Sequence, residues 1–436
     1  MSSGLLLIVI VVGAYFAAHV VFEWLGRRLL IVSGAEYLLL GILLGPHVSG
    51  ILSPQLVESF APVTALALGW MGAIIGSRYL IPRMVHVRGV VYRVAFAESF
   101  ITLWVVFGLE LFLLRWLFGL PTERALGPAL ALGAFATASA DAGIELAARR
   151  SRGRGPLVTQ LRVTAGANAF VAICAFGILL ASNHPASTAL SRPLTATEWT
   201  VVSIALGVGG GALFHLFLGS EQRIDRLFIS LTGVLVLVSG AATYLRLSPL
   251  MSAMFFGAML VNTSRQRDEI SAALARVERP LYFVLLIFAG ATWRPSAQTA
   301  WALPVLVFVA ARALGKLGGA RLAARANDLL PVLGPDWGRA LLGQGGLVLA
   351  LAINYLYQDT LALPNVVFTT AVISVLLTDL ASGRLASSVL DAFAARVAEG
   401  RTELAALGAG ALGTPPPTDV TSADATPVTQ GAKELS

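Results

Sequence analysis

VTQLRVTAGANAFVAICAFGILL, residues 158–180, is long and apolar enough to cross a bilayer as one helix, yet it carries Asn168 at its centre and no carboxylate. An amide at that depth needs a partner inside the protein, because lipid supplies none. Runs of the same kind recur along almost the whole chain. The 436 residues are 56% hydrophobic and 13% charged, well below the roughly 25% charged residues of a soluble domain. Apolar windows of roughly 19 residues, without the strict alternation a β-barrel needs, predict an all-α polytopic membrane protein.

About thirteen spans follow from hydropathy, near 4–26, 30–50, 59–80, 90–117, 125–148, 158–181, 197–218, 226–245, 248–263, 279–293, 299–324, 333–356 and 364–383. The first lacks a small-residue cleavage site and reads as a retained helix rather than a signal peptide. Basic residues sort by side. Loops after odd-numbered spans and the C-terminal segment hold 24 Lys and Arg, whereas the opposite side holds five, Arg115, Arg124, Arg192, Arg246 and Arg294. The N-terminus is therefore expected outside and the C-terminus in the cytoplasm, the chain lying in a bacterial inner membrane. The formal charge of +7 then reads as orientation in a lipid bilayer, with no nucleic-acid partner.

Three parts are expected along the chain: a transmembrane domain over 1–383, a cytoplasmic amphipathic segment over 384–408, and a disordered tail over 409–436, rich in Pro, Thr and Ala. No strand followed by a Gly-rich turn and a helix occurs, so no nucleotide-binding domain or cofactor is called for. The glycine run GVGGGALF (207–214) lies within a span and reads as close helix packing. Cys174 is the single cysteine and sits within a span, which excludes a disulfide or zinc framework. His19, His47, His86, His184 and His215 are scattered and form no metal-ligand or catalytic spacing, so an enzyme is not expected.

Two spans are interrupted. AFATASADAGIEL (134–146) sets Thr137, Ser139, Asp141 and Gly143 at the centre of the fifth span, and LLGQGGLVLA (341–350) does the same in the twelfth. Backbone groups exposed at that depth must line protein or a wet cavity, and paired interruptions of this kind point to the substrate site of an inverted-repeat transporter. Two glycine-rich packing seams would give the same pattern. Glu23, Glu36, Glu98, Glu110, Glu145 and Asp379 lie within a turn or two of span ends, interfacial Trp or Arg, and read as snorkelling groups. Asp141 and Arg312 do not. Lys316 follows Arg312 by one turn on the same face, and a buried Asp141–Arg312 pair is the economical expectation.

These pieces resemble the monovalent cation/proton antiporters, most closely their Kef-type branch. LLLGILLGPHVSGIL (38–52) is similar to the second-span Gly-x-Leu-Leu-Gly-Pro motif, residues 245–293 resemble the eighth-to-tenth region, and LLGQGGLVLALA (341–352) the Gln-Gly-Gly segment. The resemblance covers roughly residues 5–385. It implies thirteen helices in inverted repeats, a core with two crossed, broken helices, a separate dimerisation domain and hence a homodimer. It also implies an Asn-Asp or Asp-Asp pair in the sixth span, but Asn168 is followed here by Ala169. Thr164 and Leu347 stand where other members carry acids. By the same resemblance Asp141 matches the Asp of a Thr-Asp-Pro motif, and Arg312 the basic residue that contacts the pair.

The expected function is secondary transport of a monovalent cation, Na⁺ or K⁺, against protons. Asp141 would carry the ion or proton, Asn168, Thr137, Ser139 and Gln344 would assist, and Arg312 with Lys316 would supply counter-charge. A non-transporting or sensory protein of the same fold is the alternative that three absent acids favour. Carriage of an anionic solute by a site biased positive through Arg312 and Lys316 is a further one.

Overall fold

A computed structural model describes residues 35–398, apart from 54, 56–58, 151–154, 186–191, 219–223, 295–301 and 359. The span expected at 4–26 and the tail expected at 409–436 lie outside these residues. Among the described residues every regular element is helical. In chain order these are α1 (Ala35–Leu44), α2 (Ala61–Ser77), α3 (Gly89–Leu117), α4 (Thr122–Thr137), α5 (Asp141–Arg150), α6 (Pro156–Ser182), α7 (Ala196–Leu218), α8 (Ile224–Tyr244), α9 (Pro249–Thr263), α10 (Arg267–Thr292), α11 (Ala302–Ala326), α12 (Gly346–Leu356) and α13 (Pro364–Ala398). Short turns at Ile81–Val85, Leu330–Leu333 and Trp337–Leu341 connect them.

Among the described residues seven helical stretches are long and apolar enough to cross a membrane, α4 and α5 counting as one of them. The molecule is an integral membrane protein. Proline begins several of its helices, where a missing N–H costs nothing. Pro156 opens α6, and Pro249 opens α9 behind Ser248, whose hydroxyl accepts from the Met251 N–H. At the other end of the chain, α13 runs unbroken from Pro364 to Ala398, across the division expected at 383. At 1.5 Å per residue it is about 52 Å long, more than the roughly 30 Å of hydrocarbon.

Helices α1, α2, α9 and α10 approach so closely that only glycine fits at the contacts. A Cβ on Gly76 would lie 2.0 Å from the Met254 carbonyl oxygen, and one on Gly41 2.1 Å from that of Ile287. Contacts of this closeness are the usual source of helix association where no hydrophobic drive exists between lipid-facing surfaces. Beside them, α3 packs along α11, α4 and α6; the first interruption follows α4, and the second follows the Trp337–Leu341 turn that packs on α11.

The first interruption is the three-residue gap 138–140 between α4 and α5; the second is 342–345, between the Trp337–Leu341 turn and α12. Both fall where the glycine and polar residues predict them. They meet: the Ala140 N–H donates to the Gly343 carbonyl at 2.8 Å. Gly345 makes the second turn possible with φ +69 and ψ −176, a region open essentially to glycine alone.

Candidate functional site

Four helix ends converge where the interruptions meet, and each end carries unpaired backbone groups. Arg312 and Lys316, one turn apart on α11, are buried against the carbonyl ends. The Arg312 guanidinium donates to the carbonyls of Leu342 (2.5 Å), Ala138 (2.9 Å), Leu341 (3.3 Å) and Gly343 (3.3 Å). Lys316 Nζ donates to the Thr137 carbonyl at 2.6 Å and pairs with Glu98 Oε1 of α3 at 3.1 Å. Cations at helix C-termini meet the negative end of the helix dipole, so these two side chains do what water would do at an exposed end.

The amide end is met by an acid. Asp379 of α13 accepts from the Gln344 N–H at 2.8 Å and the Gly345 N–H at 3.2 Å, just ahead of α12. Glu98 also accepts from Thr102 Oγ1 at 2.9 Å. Glu98 and Lys316 are 0% exposed, Arg312 1% and Asp379 2%. Two cations and two carboxylates thus neutralise one another inside the membrane, each also hydrogen-bonded to backbone or hydroxyl, which is the condition under which buried charges persist.

Asn168 finds its partners in the same place. Its Oδ1 accepts from Ser99 Oγ at 2.5 Å, its Nδ2 donates to Ser139 Oγ at 3.0 Å, and its carbonyl accepts from Thr137 Oγ1 at 3.3 Å. Ser139 in turn donates to the Leu341 carbonyl at 3.0 Å, tying α6 to both interruptions. Gln344 accepts from Ser374 Oγ at 2.9 Å through Oε1, while its Nε2 has no partner among the described residues. Four of the expected site residues, Thr137, Ser139, Asn168 and Gln344, are therefore brought together and buried. Ala169 is packed in the main apolar cluster with Phe135 and Phe176, and Leu347 lies against that cluster. Thr164 accepts from Gln160 Nε2 at 3.1 Å.

Asp141 is not paired with Arg312. Its ion pair is with Arg78, the residue that follows α2, and Arg78 Nη2 lies 3.5 Å from Glu278 Oε1 of α10. The reason is directional: Asp141 is the first residue of α5 and is half-buried, while the guanidinium of Arg312 is taken up by the carbonyls behind it. Lys316 likewise serves Glu98 rather than Asp141. Arg312 and Lys316 are both buried and engaged by carbonyls or by Glu98, so neither stands beside Asp141 as its counter-charge.

Asp141 lines a half-open cavity of about 510 Å³ between the Ile81–Val85 turn, α3, α5 and α6. Tyr79, Tyr92, Phe96 and Phe170 supply much of its wall. A second ion pair stands there too, with Arg162 Nε 2.6 Å and Nη2 3.0 Å from the two oxygens of Glu145. This fork is closed on itself. Sequence reasoning missed Arg78, Glu98 and Asp379. The signal for the two acids was available: Arg312 and Lys316 share one face of one helix, and two like charges in hydrocarbon demand two opposite ones.

No protein-family profile and no curated protein matches the chain. Solved structures do. The sodium proton antiporter MjNhaP1 from Methanocaldococcus jannaschii, in a structure at pH 8, superposes with a TM-score of 0.61 at 16% identity, covering 88% of this chain and 99% of its own. An electron-microscopy map of the same antiporter gives 0.60 at 17% identity, covering 91% and 98%. The fold is that of a cation/proton antiporter. At this identity the likeness speaks for the fold, and the chemistry has to come from the residues just described.

Proposed function

We propose that this chain is a secondary transporter, not an enzyme, that exchanges a monovalent cation, Na⁺ or K⁺, for protons through a site centred on Asp141. The observation that carries the reading is the position of that carboxylate, at the start of a half-helix and on the wall of a half-open cavity. A cation and a proton compete for one carboxylate because each neutralises it, and that competition is what couples their movements. Asn168, Thr137, Ser139 and Gln344 hold the interrupted backbone beside it in shape, and Arg312 and Lys316 keep the crossover neutral. The resemblance to antiporters supports inverted repeats, a homodimer and thirteen spans. The sidedness of Lys and Arg supports an inner-membrane protein with its N-terminus outside and the cavity open to the cytoplasm.

The test is flux. Proteoliposomes carrying the purified chain should dissipate an imposed pH gradient on addition of Na⁺ or K⁺, and Asp141→Asn should not. Wild type that fails with Na⁺, K⁺ and Li⁺ refutes the reading. It would favour instead a non-transporting or sensory protein, a reading supported by Ala169 standing where antiporters of this kind carry an acid.

A further inference from the structure

Arg78 is the feature of the cavity that the transport reading leaves unexplained. It stems from the end of α2, yet its guanidinium lies between carboxylates from two other helices, Asp141 of α5 and Glu278 of α10. The three side chains are 45% (Arg78), 32% (Asp141) and 44% (Glu278) exposed. Such a pair is held weakly and within reach of soluble ions. The neighbouring Arg162–Glu145 fork makes two bonds between α6 and α5 and sums to zero. Among the described residues the Arg78 group does not sum to zero: one guanidinium faces two carboxylates. A single further positive charge would balance it.

Building on the transport reading above, we infer that Arg78 is a tethered cation that sets the affinity of the site, resting on Asp141 when the site is empty and moving to Glu278 when a soluble cation takes Asp141. The motion is small, because Nη2 already lies 3.5 Å from Glu278. A tethered group competes at an effective concentration on the order of millimolar. Apparent affinity for a soluble cation is therefore reduced by the fraction of time Asp141 is occupied by Arg78. Glu278 limits that fraction by offering the guanidinium a second seat. Removing Arg78 should tighten cation binding, and removing Glu278 should weaken it. A purely structural salt bridge would give neither effect.

The experiment measures binding, not transport. The purified full chain is titrated with NaCl at constant ionic strength against N-methyl-D-glucamine chloride, and the thermal unfolding midpoint is followed, since a ligand of the folded state raises it. Arg78→Gln should lower the half-saturating Na⁺ concentration by roughly two- to fivefold, the competition expected from one half-exposed ion pair. Asp141→Asn added to that variant should abolish the response. Glu278→Gln should raise half-saturation severalfold. An unchanged half-saturation in Arg78→Gln, or a gain that survives Asp141→Asn, overturns the proposal. If Arg78→Gln does not fold, Glu278→Gln decides alone, and unchanged or tighter binding there also overturns it. A sodium response with this pattern in a chain that moves no ions would leave Arg78 as the competitor while the transport reading fell.

Discussion

Replacing Lys316 with Met leaves Glu98 wholly buried with Thr102 as its remaining donor, and takes from the Thr137 carbonyl a bond of 2.6 Å. A buried charge stripped of its partner costs about 3–5 kcal/mol. Glu98→Gln strands the ammonium in the same way and should cost a similar amount. The double variant removes both charges, and what remains is the loss at Thr137, about 1–3 kcal/mol for a buried carbonyl without its donor. The double variant should therefore be more stable than the sum of the singles by at least about 2 kcal/mol, the size seen for residues in one network. Unfolding of the four proteins in mixed micelles of one composition gives the cycle. Additivity within about 0.5 kcal/mol would refute the pairing. The same cycle on Asp141→Asn and Arg312→Gln should show far weaker coupling, because these two side chains answer to different partners.

Arg312→Ala should lower stability by about 3–5 kcal/mol, since it takes the donor from the Ala138 and Leu342 carbonyls and leaves those of Leu341 and Gly343 with Ser139 and Ala140 alone. Arg312→Lys should recover only part of this, an ammonium lacking the planar fork, and the ranking is read from unfolding midpoints. A lysine variant as stable as wild type would mean that the fork is dispensable. Glu110 is 0% exposed on α3 and neither of its oxygens has a hydrogen-bond partner among the described residues. Glu110→Leu should therefore stabilise the chain by about 1–3 kcal/mol. Destabilisation by that change would show that the carboxyl does have a partner.

Much of the architecture was legible because membrane helices write themselves in hydropathy, and the two breaks in glycine. Gly345 is informative at both levels: its neighbours mark an interruption in an apolar run, and its positive φ is the reason no other residue stands there. Asn168 was legible as a polar group in need of partners, though not which partners. The pairing of charges was not legible. Periodicity tells which face of a helix a residue occupies, but not what lies opposite, so Asp141 was matched to Arg312 by elimination rather than by contact. Glu98, Glu110 and Asp379 were passed over for a related reason. A carboxylate a few turns from a helix end can reach the interface if lipid lies beside it, and only the packing of α3 against α11 and of α13 against the second interruption closes that route. Glu145, which got the same reading, is indeed exposed and paired with Arg162.

The charges now explain why Ala169 is tolerable. At the crossover Arg312 and Lys316 stand against Glu98 and Asp379, with no surplus. A carboxylate at 169 would add an unbalanced negative charge beside an amide that is already satisfied by Ser99 and Ser139. In the apolar packing around Phe135 and Phe176 such a charge would need a cation or proton at all times. Here the surplus lies elsewhere, at the head of the cavity, where Arg78 meets both Asp141 and Glu278. That group is half-exposed, so an ion can arrive and leave without stripping its whole hydration shell, and the cost of changing occupancy is small compared with that of a buried acid. An ion exchanging at Asp141, as proposed above, would do so on the cavity wall rather than in the packed core, with the neutral crossover as the fixed frame beside it.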